Sequence, residues 1–101
     1  MIIREWRGRA SLNDLERYPV HFRTTVVPEL RRLPGFVGAH LSQRRLADSI
    51  EFLVLARWRS MDAIQAFAGE EIDEAVVEPG AVAALLDFDA KVQHYEVIEE
   101  A

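Results

Sequence analysis

Only a few side chains in this 101-residue sequence could take part in chemistry, and His94 is the foremost of them. It lies in an alternating run near the C-terminus, two positions after Val92. A histidine at such a position could take a proton from an acidic phenol or accept a hydrogen bond from a ligand. It could equally be a core histidine bonded to a backbone carbonyl or to Glu96. His94 is therefore a candidate catalytic base, and the second interpretation stays open.

Two tryptophans and one arginine are candidates for binding a substrate. Trp58 ends an apolar run, and its indole could form a flat aromatic wall or be an ordinary core residue. Trp6 and Arg4 lie two positions apart, so they share one face of a predicted strand. If that face meets a cleft, Trp6 is a wall and Arg4 is a counter-charge for an enolate or carboxylate. If it meets a partner chain, Trp6 packs there and Arg4 reaches towards water.

The remaining chemically active residue types form no recognisable site. We expect His40 on a half-exposed strand face and His21 on the surface of the first helix. No two of the three histidines have the spacing of a metal-ligand pair, and the absence of cysteine excludes disulfides and thiolate ligands. The sequence has neither a glycine-rich phosphate loop nor a G-x-S-x-G nucleophile motif. We therefore expect no metal and no cofactor.

Composition favours one globular domain over residues 1–101. Half of the residues are hydrophobic and 29% are charged, which allows a buried core and argues against disorder. The net charge of −5 disfavours binding to nucleic acid, because a phosphate backbone attracts a basic surface. Apolar runs such as residues 52–56 are too short to span a bilayer, and the N-terminus does not resemble a signal peptide. We expect a cytoplasmic protein that binds neither membranes nor nucleic acid.

The periodicity of apolar residues predicts the element order β-α-β-β-α-β. Alternation over residues 2–9, 36–45, 50–58 and 92–98 predicts four strands, with a turn at 46–49. Apolar residues at three- and four-residue steps predict a helix over 12–33, capped by Ser11 and kinked or split by two prolines. A second helix runs from a Ser60 cap to Gly69. Short helices are expected at 70–77 and 81–86, separated by a break at Pro79 and Gly80.

This order predicts an α+β, ferredoxin-like fold. Right-handed crossovers place the strands as a four-stranded antiparallel sheet in the order 4-1-3-2, with the helices on one face. The third and fourth strands carry apolar residues at both odd and even positions, which is more than a sheet covered on one side requires. A second copy packed about a two-fold axis is the simplest cover, so we expect a homodimer.

Several stretches resemble the antibiotic biosynthesis monooxygenase superfamily, in particular a subgroup of short, mostly uncharacterised members. Residues 58–63, Trp-Arg-Ser-Met-Asp-Ala, are similar to its W-x-S-x-x-A motif, and residues 33–38 are similar to its link between first helix and second strand. Ala66 to Gly69 and His94 to Val97 are also similar to that subgroup. The resemblance implies a dimeric α/β barrel of two ferredoxin-like protomers, with a ligand cleft between each sheet and its helices.

The resemblance also bears on haem. The haem-degrading branch of the superfamily has a strand-1 Asn, a strand-3 Trp and a second-helix His, of which only Trp58 has a counterpart here. Phe67 and Ala68 stand where the histidine would fall. Because no axial nitrogen ligand is present at that place, we do not expect haem as a cofactor.

The resemblance implies a cofactor-independent monooxygenase-like protein that acts on a small electron-rich aromatic compound or quinol. The alternative is a non-catalytic small-ligand binding or stress-response module on the same fold. In the first case, His94 is the expected base and the expected substrate-binding residues are Trp6, Arg4, Trp58 and Phe67. Trp6, Trp58 and His94 must then share the helix-facing side of the sheet, beside a cavity of at least a few hundred Å³.

Overall fold

Five antiparallel strands and four short α-helices are seen in the computed structural model, which describes residues 1–101. No helix combines the length and apolar character needed to cross a membrane. The strands are β1 (Ile2–Ser11), β2 (Phe36–Arg45), β3 (Ser49–Trp58), β4 (Asp87–Phe88) and β5 (Gln93–Glu96). The helices are α1 (Arg17–His21), α2 (Val27–Leu30), α3 (Met61–Ala68) and α4 (Pro79–Ala84), and a π-helical turn (Phe22–Val26) joins α1 to α2.

The strands form one sheet in the order β2-β3-β1, and both β4 and β5 pair with the remaining edge of β1. β5 pairs with residues 2–5 of β1, and β4 pairs with residues 8–9. The predicted α+β, ferredoxin-like fold and its strand order are therefore confirmed, with β5 in the place of the fourth strand. The two-residue strand β4 is an addition, and it occupies the part of β1 that the short β5 leaves unpaired.

One face of the sheet carries all the helices. The even-numbered side chains of β1 and β3 point to this face, since the two strands pair Ile2 with Trp58 and Ala10 with Ile50. Phe52 and Trp58 are the largest side chains with no exposed surface, and each belongs to a hydrophobic cluster. The cluster around Phe52 lies under α1 and α4, and the cluster around Trp58 lies under α2 and α3.

The first helical region is split, as its two prolines predict. Pro19 lies within α1 and Pro28 at the start of α2, and the π-helical turn lets the chain continue between them. The expected start at Ser11 is wrong. Ser11 is the last residue of β1, and its hydroxyl accepts a hydrogen bond from the amide of Asn13 at 3.2 Å. The helix begins at Arg17 because the β-ladder extends further than the alternating pattern indicated.

Residues 70–78, here called the covering segment, do not form the helix expected over 70–77. Their backbone groups bond to distant partners instead. The amide of Val92 donates to the carbonyl of Asp73 at 2.7 Å, and the amide of Ala75 donates to the carbonyl of Ala90 at 2.9 Å. Pro79 also differs from the expectation, because it begins α4 rather than breaking a helix.

The start of α3 is held by its cap and by the loop before β2. The Ser60 hydroxyl accepts a hydrogen bond from the amide of Ala63 at 3.1 Å, as predicted, and Gly69 ends the helix at a φ of 82°. Gly35 has a φ of 86°, and a β-carbon there would lie 2.5 Å from the β-carbon of Ala63. The amide of Arg59 donates to the carbonyl of Gly35 at 2.8 Å. The motif over residues 58–63 therefore joins β3, α3 and the loop that leads into β2.

We predict that Gly35→Ala lowers the free energy of unfolding by about 2–5 kcal/mol, from backbone strain and from overlap with Ala63. Gly69→Ala is the matched control, because Gly69 has a similar φ and nothing within 4 Å of its would-be β-carbon. It should cost only the strain, about 1–3 kcal/mol. Urea unfolding measures both. Equal losses in the two variants, or no coupling between Gly35→Ala and Ala63→Gly in a double-mutant cycle, would contradict the close contact.

Candidate functional site

A cavity of about 270 Å³ lies between the sheet and the helices. Its walls are mostly apolar, and they combine side chains of β1 and β3 with Phe67 of α3 and with residues 75–78 of the covering segment. A small organic molecule fits a space of this size and character, since ligand sites are concave, mainly apolar and carry few polar groups. The polar groups that line the cavity therefore decide what it can bind.

Trp58 and Phe67 form one end of the cavity. Trp58 is fully buried, and its ring stacks on Phe67 with centroids 5.4 Å apart and planes inclined by 26°. Phe36 meets the edge of the same indole at 5.4 Å. The indole Nε1 is buried and has no hydrogen-bond partner. This N–H can only donate a hydrogen bond.

Arg4 brings a positive charge to this end. It is only 6% exposed, it lies opposite Ala56 in the β-ladder, and its guanidinium carbon is 5.7 Å from the centre of the Phe67 ring. Burial lowers the pKa of Arg4 to about 10, partly offset by the charge of Asp73, so the group stays charged at neutral pH. The ion pairs within 4.0 Å all involve other residues.

The guanidinium is held by neutral acceptors. It donates to the carbonyl of Ile72 at 2.7 Å and to the carbonyl of Glu74 at 2.8 Å. It also donates to Nε2 of His94 at 2.9 Å. Neither a carbonyl nor a neutral imidazole cancels a full positive charge. An anionic ligand in the cavity would therefore meet a cation that no carboxylate has neutralised.

His94 lies on the helix-facing side of the sheet but does not line the cavity. It faces an open surface depression with Asp73 and Lys91, and its Nδ1 is 3.4 Å from a carboxylate oxygen of Asp73. Because Nε2 accepts from Arg4, the proton of a neutral ring is on Nδ1 and points towards Asp73. The expectation that His94 joins Trp6 and Trp58 around one cavity therefore differs from the structure. His94 belongs to the edge strand β5, where it pairs with Arg4 of β1 and contacts Arg4 instead of the cavity.

Trp6 forms the other part of the aromatic wall. Its ring lies 5.9 Å from Tyr18 and 6.0 Å from Phe88, and its Nε1 donates to the carbonyl of Asp89 at 2.8 Å. The indole N–H is thus already bonded within the chain, unlike that of Trp58. Trp6, Arg4, Trp58 and Phe67 all line the cavity. Trp6 presents a flat apolar surface to it.

His21 is a cavity residue that sequence reasoning assigned to the surface. It ends α1, its ring lies 6.0 Å from Tyr18, and its Nε2 is buried without a partner. Gly80 of α4 packs against the ring so closely that a β-carbon there would lie 2.8 Å from Nδ1 and Cε1. The sequence feature that indicates its burial is its three-residue spacing from Tyr18, which places the two side chains on one face of the helix.

Two carboxylates accompany His21 at the cavity, Glu29 of α2 and Glu78 of the covering segment. Burial raises the pKa of Glu78, the neighbouring Glu29 raises it further, and His21 opposes the shift. Glu29 and Glu78 therefore bring hydrogen-bond acceptors to the lining of the cavity, whereas Trp58 and Arg4 can only donate.

The surroundings of His94 predict a pH-dependent stability. Burial lowers its pKa, the charge of Arg4 lowers it further, and Asp73 opposes both. The unfolded chain, in which the pKa is about 6.5, therefore takes up the proton first as the pH falls. The stability that neutral His94 contributes is present above this value and is lost below it, towards the lower pKa of the folded chain.

We expect the free energy of unfolding of the wild type to fall more between about pH 7.5 and about pH 5 than that of His94→Gln, which cannot titrate. Urea unfolding at a series of pH values measures the difference. His40→Gln, at an exposed position of β2, should follow the wild type. Parallel curves for wild type and His94→Gln would show that burial beside Arg4 does not disfavour the protonated ring.

Comparison with known proteins agrees with the fold. The family model described as antibiotic biosynthesis monooxygenase matches residues 1–79, and no curated protein matches the chain. A solved candidate antibiotic biosynthesis monooxygenase from Bacillus cereus is 17% identical, with 99% of this chain and 93% of that chain covered and a TM-score of 0.64. One from Deinococcus radiodurans is 18% identical, with 100% and 96% covered and a TM-score of 0.63. Both likenesses show the fold alone. From the match over residues 1–79, the chain belongs to the antibiotic biosynthesis monooxygenase family.

Proposed function

We propose that the chain binds a small electron-rich aromatic compound or quinol as its anion and promotes the reaction of that anion with dioxygen without a cofactor. One observation carries the proposal. The buried guanidinium of Arg4 lines an apolar cavity and has no carboxylate partner within 4.0 Å. In such surroundings a cation stabilises a phenolate or enolate more strongly than it would in water.

The proposed reaction needs only the substrate and dioxygen. A ring-activated CH₂ group loses a proton, and the resulting carbanion or enolate gives an electron to dioxygen. The two radicals combine to a peroxide, which loses water to leave a carbonyl group. One oxygen atom enters the product and the other leaves as water, and the four electrons come from the substrate. The chain has to bind the substrate, stabilise its anion and exclude bulk water.

The cavity residues take distinct parts in this proposal. Trp6, Trp58 and Phe67 hold the aromatic ring, and Arg4 stabilises its negative charge. His94 contacts Arg4 and not the cavity, so we propose that it is a positioning residue that orients the guanidinium. The bonds from Arg4 to the carbonyls of Ile72 and Glu74 also hold the covering segment over the ligand, which keeps water out.

A non-catalytic binding module is the second candidate function. The observation in its favour is that His94, the expected base, is bonded to Arg4 and faces Asp73. The same apolar cavity and the same cation would then bind an aromatic anion without turnover. Fold does not decide between the two functions, because both use one site.

We predict that acidic phenols quench tryptophan fluorescence on binding, and that their affinity rises with pH as they ionise. Arg4→Gln should weaken binding of the phenolate about tenfold or more, since a charge-assisted interaction in a buried site is lost. Arg4→Lys keeps the charge and should lose less. Arg31→Gln, at an exposed position after α2, is the control.

Oxygen uptake then separates the two functions. With a panel of phenols, quinols and ring-activated CH₂ compounds, one molecule of dioxygen consumed per carbonyl formed supports the monooxygenase. Tight binding of the phenolate with no uptake supports the binding module. Equal affinity of wild type and Arg4→Gln for the phenolate would contradict both, because each depends on the cation.

We also propose that two copies pair through the face of the sheet that carries no helix. Odd-numbered residues of β1 and β3 form this face, and Leu53 and Leu55 are its apolar centre. Its charges are largely paired, because Glu51 is only 8% exposed and contacts both Arg9 and Arg44. A face of this kind can be buried against a second copy without isolating an unpaired charge.

We predict that light scattering gives a mass twice that of the 11.5 kDa chain at micromolar concentration. Leu55→Arg should shift the mass towards one chain, because it places a charge in the apolar centre of the face. Val82→Arg is the matched control, since Val82 is 50% exposed on the helix side. A wild type that is folded and monomeric would overturn the pairing.

A further inference from the structure

Arg4 ties the covering segment to the sheet. Its guanidinium donates to the carbonyl of Ile72 at 2.7 Å and to the carbonyl of Glu74 at 2.8 Å. Residues 75–78 of the same segment follow directly and line the cavity. A change in the position of the Arg4 guanidinium therefore acts on this wall of the cavity through the backbone bonds at 72 and 74.

His94 can change that position, because it contacts the same part of the guanidinium. The Nη1 atom of Arg4, which donates to Ile72, also lies 2.9 Å from Nε2 of His94. A neutral imidazole accepts a hydrogen bond at this nitrogen, whereas both nitrogens of a protonated ring are donors. Protonation of His94 therefore breaks the bond and leaves two donors and two positive charges facing each other.

Charged groups from several parts of the chain surround His94. Arg4 of β1 lies beside Nε2, and Asp73 of the covering segment lies 3.4 Å from Nδ1. Lys91, which precedes β5, lines the same surface depression as His94, and its Nζ lies 3.6 Å from a carboxylate oxygen of Glu74. A protonated ring is thus repelled by Arg4 and attracted by Asp73, and the charge of Lys91 is opposed by Glu74.

Exposure decides which of these two interactions with the protonated ring is stronger. Arg4 is only 6% exposed and the side chain of His94 only 10%, so water screens their repulsion weakly. The side chain of Asp73 is 71% exposed, so its attraction is largely screened. In agreement, burial and then the charge of Arg4 lower the pKa of His94, although Asp73 opposes them. The closed arrangement of the segment therefore disfavours the charged ring.

We propose that His94 and Arg4 form a pH-sensitive latch, which holds the covering segment against the sheet while His94 is neutral and loosens it when His94 takes up a proton. A free imidazole has a pKa of about 6.5, and the ring in the closed arrangement has a lower pKa. The loosened state therefore binds the proton first as the pH falls. Its population rises below about pH 6.5, towards the lower pKa of the closed arrangement.

Hydrogen exchange tests the latch in the intact chain, because two amides report how firmly the covering segment is held. The amide of Ala75 donates to the carbonyl of Ala90, and the amide of Val92 donates to the carbonyl of Asp73. Between about pH 7.5 and about pH 5, their protection relative to the intrinsic exchange rate should fall about tenfold, as for the loss of one hydrogen bond to a charged group. Amides of the β1–β3 ladder should keep theirs. An equal fall in the ladder, or none at Ala75 and Val92, would overturn the latch.

Two variants identify the group that titrates. His94→Gln keeps an oxygen that can accept from Arg4 and cannot titrate, so the protection of both amides should not change with pH. Asp73→Asn removes the carboxylate that favours the charged ring in the closed arrangement, so the fall should become larger. Asp48→Asn, exposed in the turn between β2 and β3, should follow the wild type. A fall that persists in His94→Gln would assign the pH dependence to another group, such as Glu78 on the same segment, and would contradict the proposal.

The repulsion must also be measurable at the ring itself. Arg4→Gln removes the positive charge that disfavours the proton, so the pKa of His94, read from the NMR shifts of its imidazole, should rise. The protection of the covering segment should be low in this variant at every pH, because the bonds from the guanidinium are gone. Arg31→Gln, exposed after α2, should leave both readings unchanged. The same pKa of His94 in wild type and Arg4→Gln would show that Arg4 does not sense the proton, and the latch would be wrong.

Discussion

A buried positive charge on the central part of the sheet is the constraint on which the rest of the site depends. Taking a guanidinium out of water is costly unless its N–H groups are bonded. Arg4 meets this requirement with the carbonyls of Ile72 and Glu74 and with the imidazole of His94. These bonds connect β1 to β5 and to the covering segment. The hydrogen bonds of Arg4 therefore both hold that segment over the cavity and keep the guanidinium charge beside it.

The same bonds explain where sequence reasoning stopped. Alternation located β2 from its first to its last residue, and cap chemistry located both ends of α3, because these signals are local. The covering segment has a helix-like composition, but the carbonyls of Ile72 and Glu74 accept hydrogen bonds from the Arg4 side chain, 68 and 70 positions away. His21 was assigned to the surface because its burial depends on α4, whose Gly80 packs on the imidazole ring and is distant in sequence.

Register accounts for the part of the site that the sequence did place. β1 pairs with β3 and with β5 so that even-numbered residues always meet even-numbered ones. Arg4, Trp6, Trp58 and His94 therefore share the helix side of the sheet, which follows once the strand order is known. Register alone does not determine how close a side chain lies to the cavity. A side chain on the edge strand β5 and one on the central strand share a face, yet only the second reaches the cavity.

Because successive side chains of a strand point to opposite faces of the sheet, the strand residues that line the cavity differ from those that form the open face. The cavity lies on the helix side of the sheet, so a second copy packed on Leu53 and Leu55 would lie against the opposite face. The two faces nonetheless share the backbone of β1 and β3. Because each strand is fixed by ladders on both sides, burying the open face would hold the same strands that position Arg4 and Trp58. Pairing of two copies would then act on the site through rigidity of the sheet.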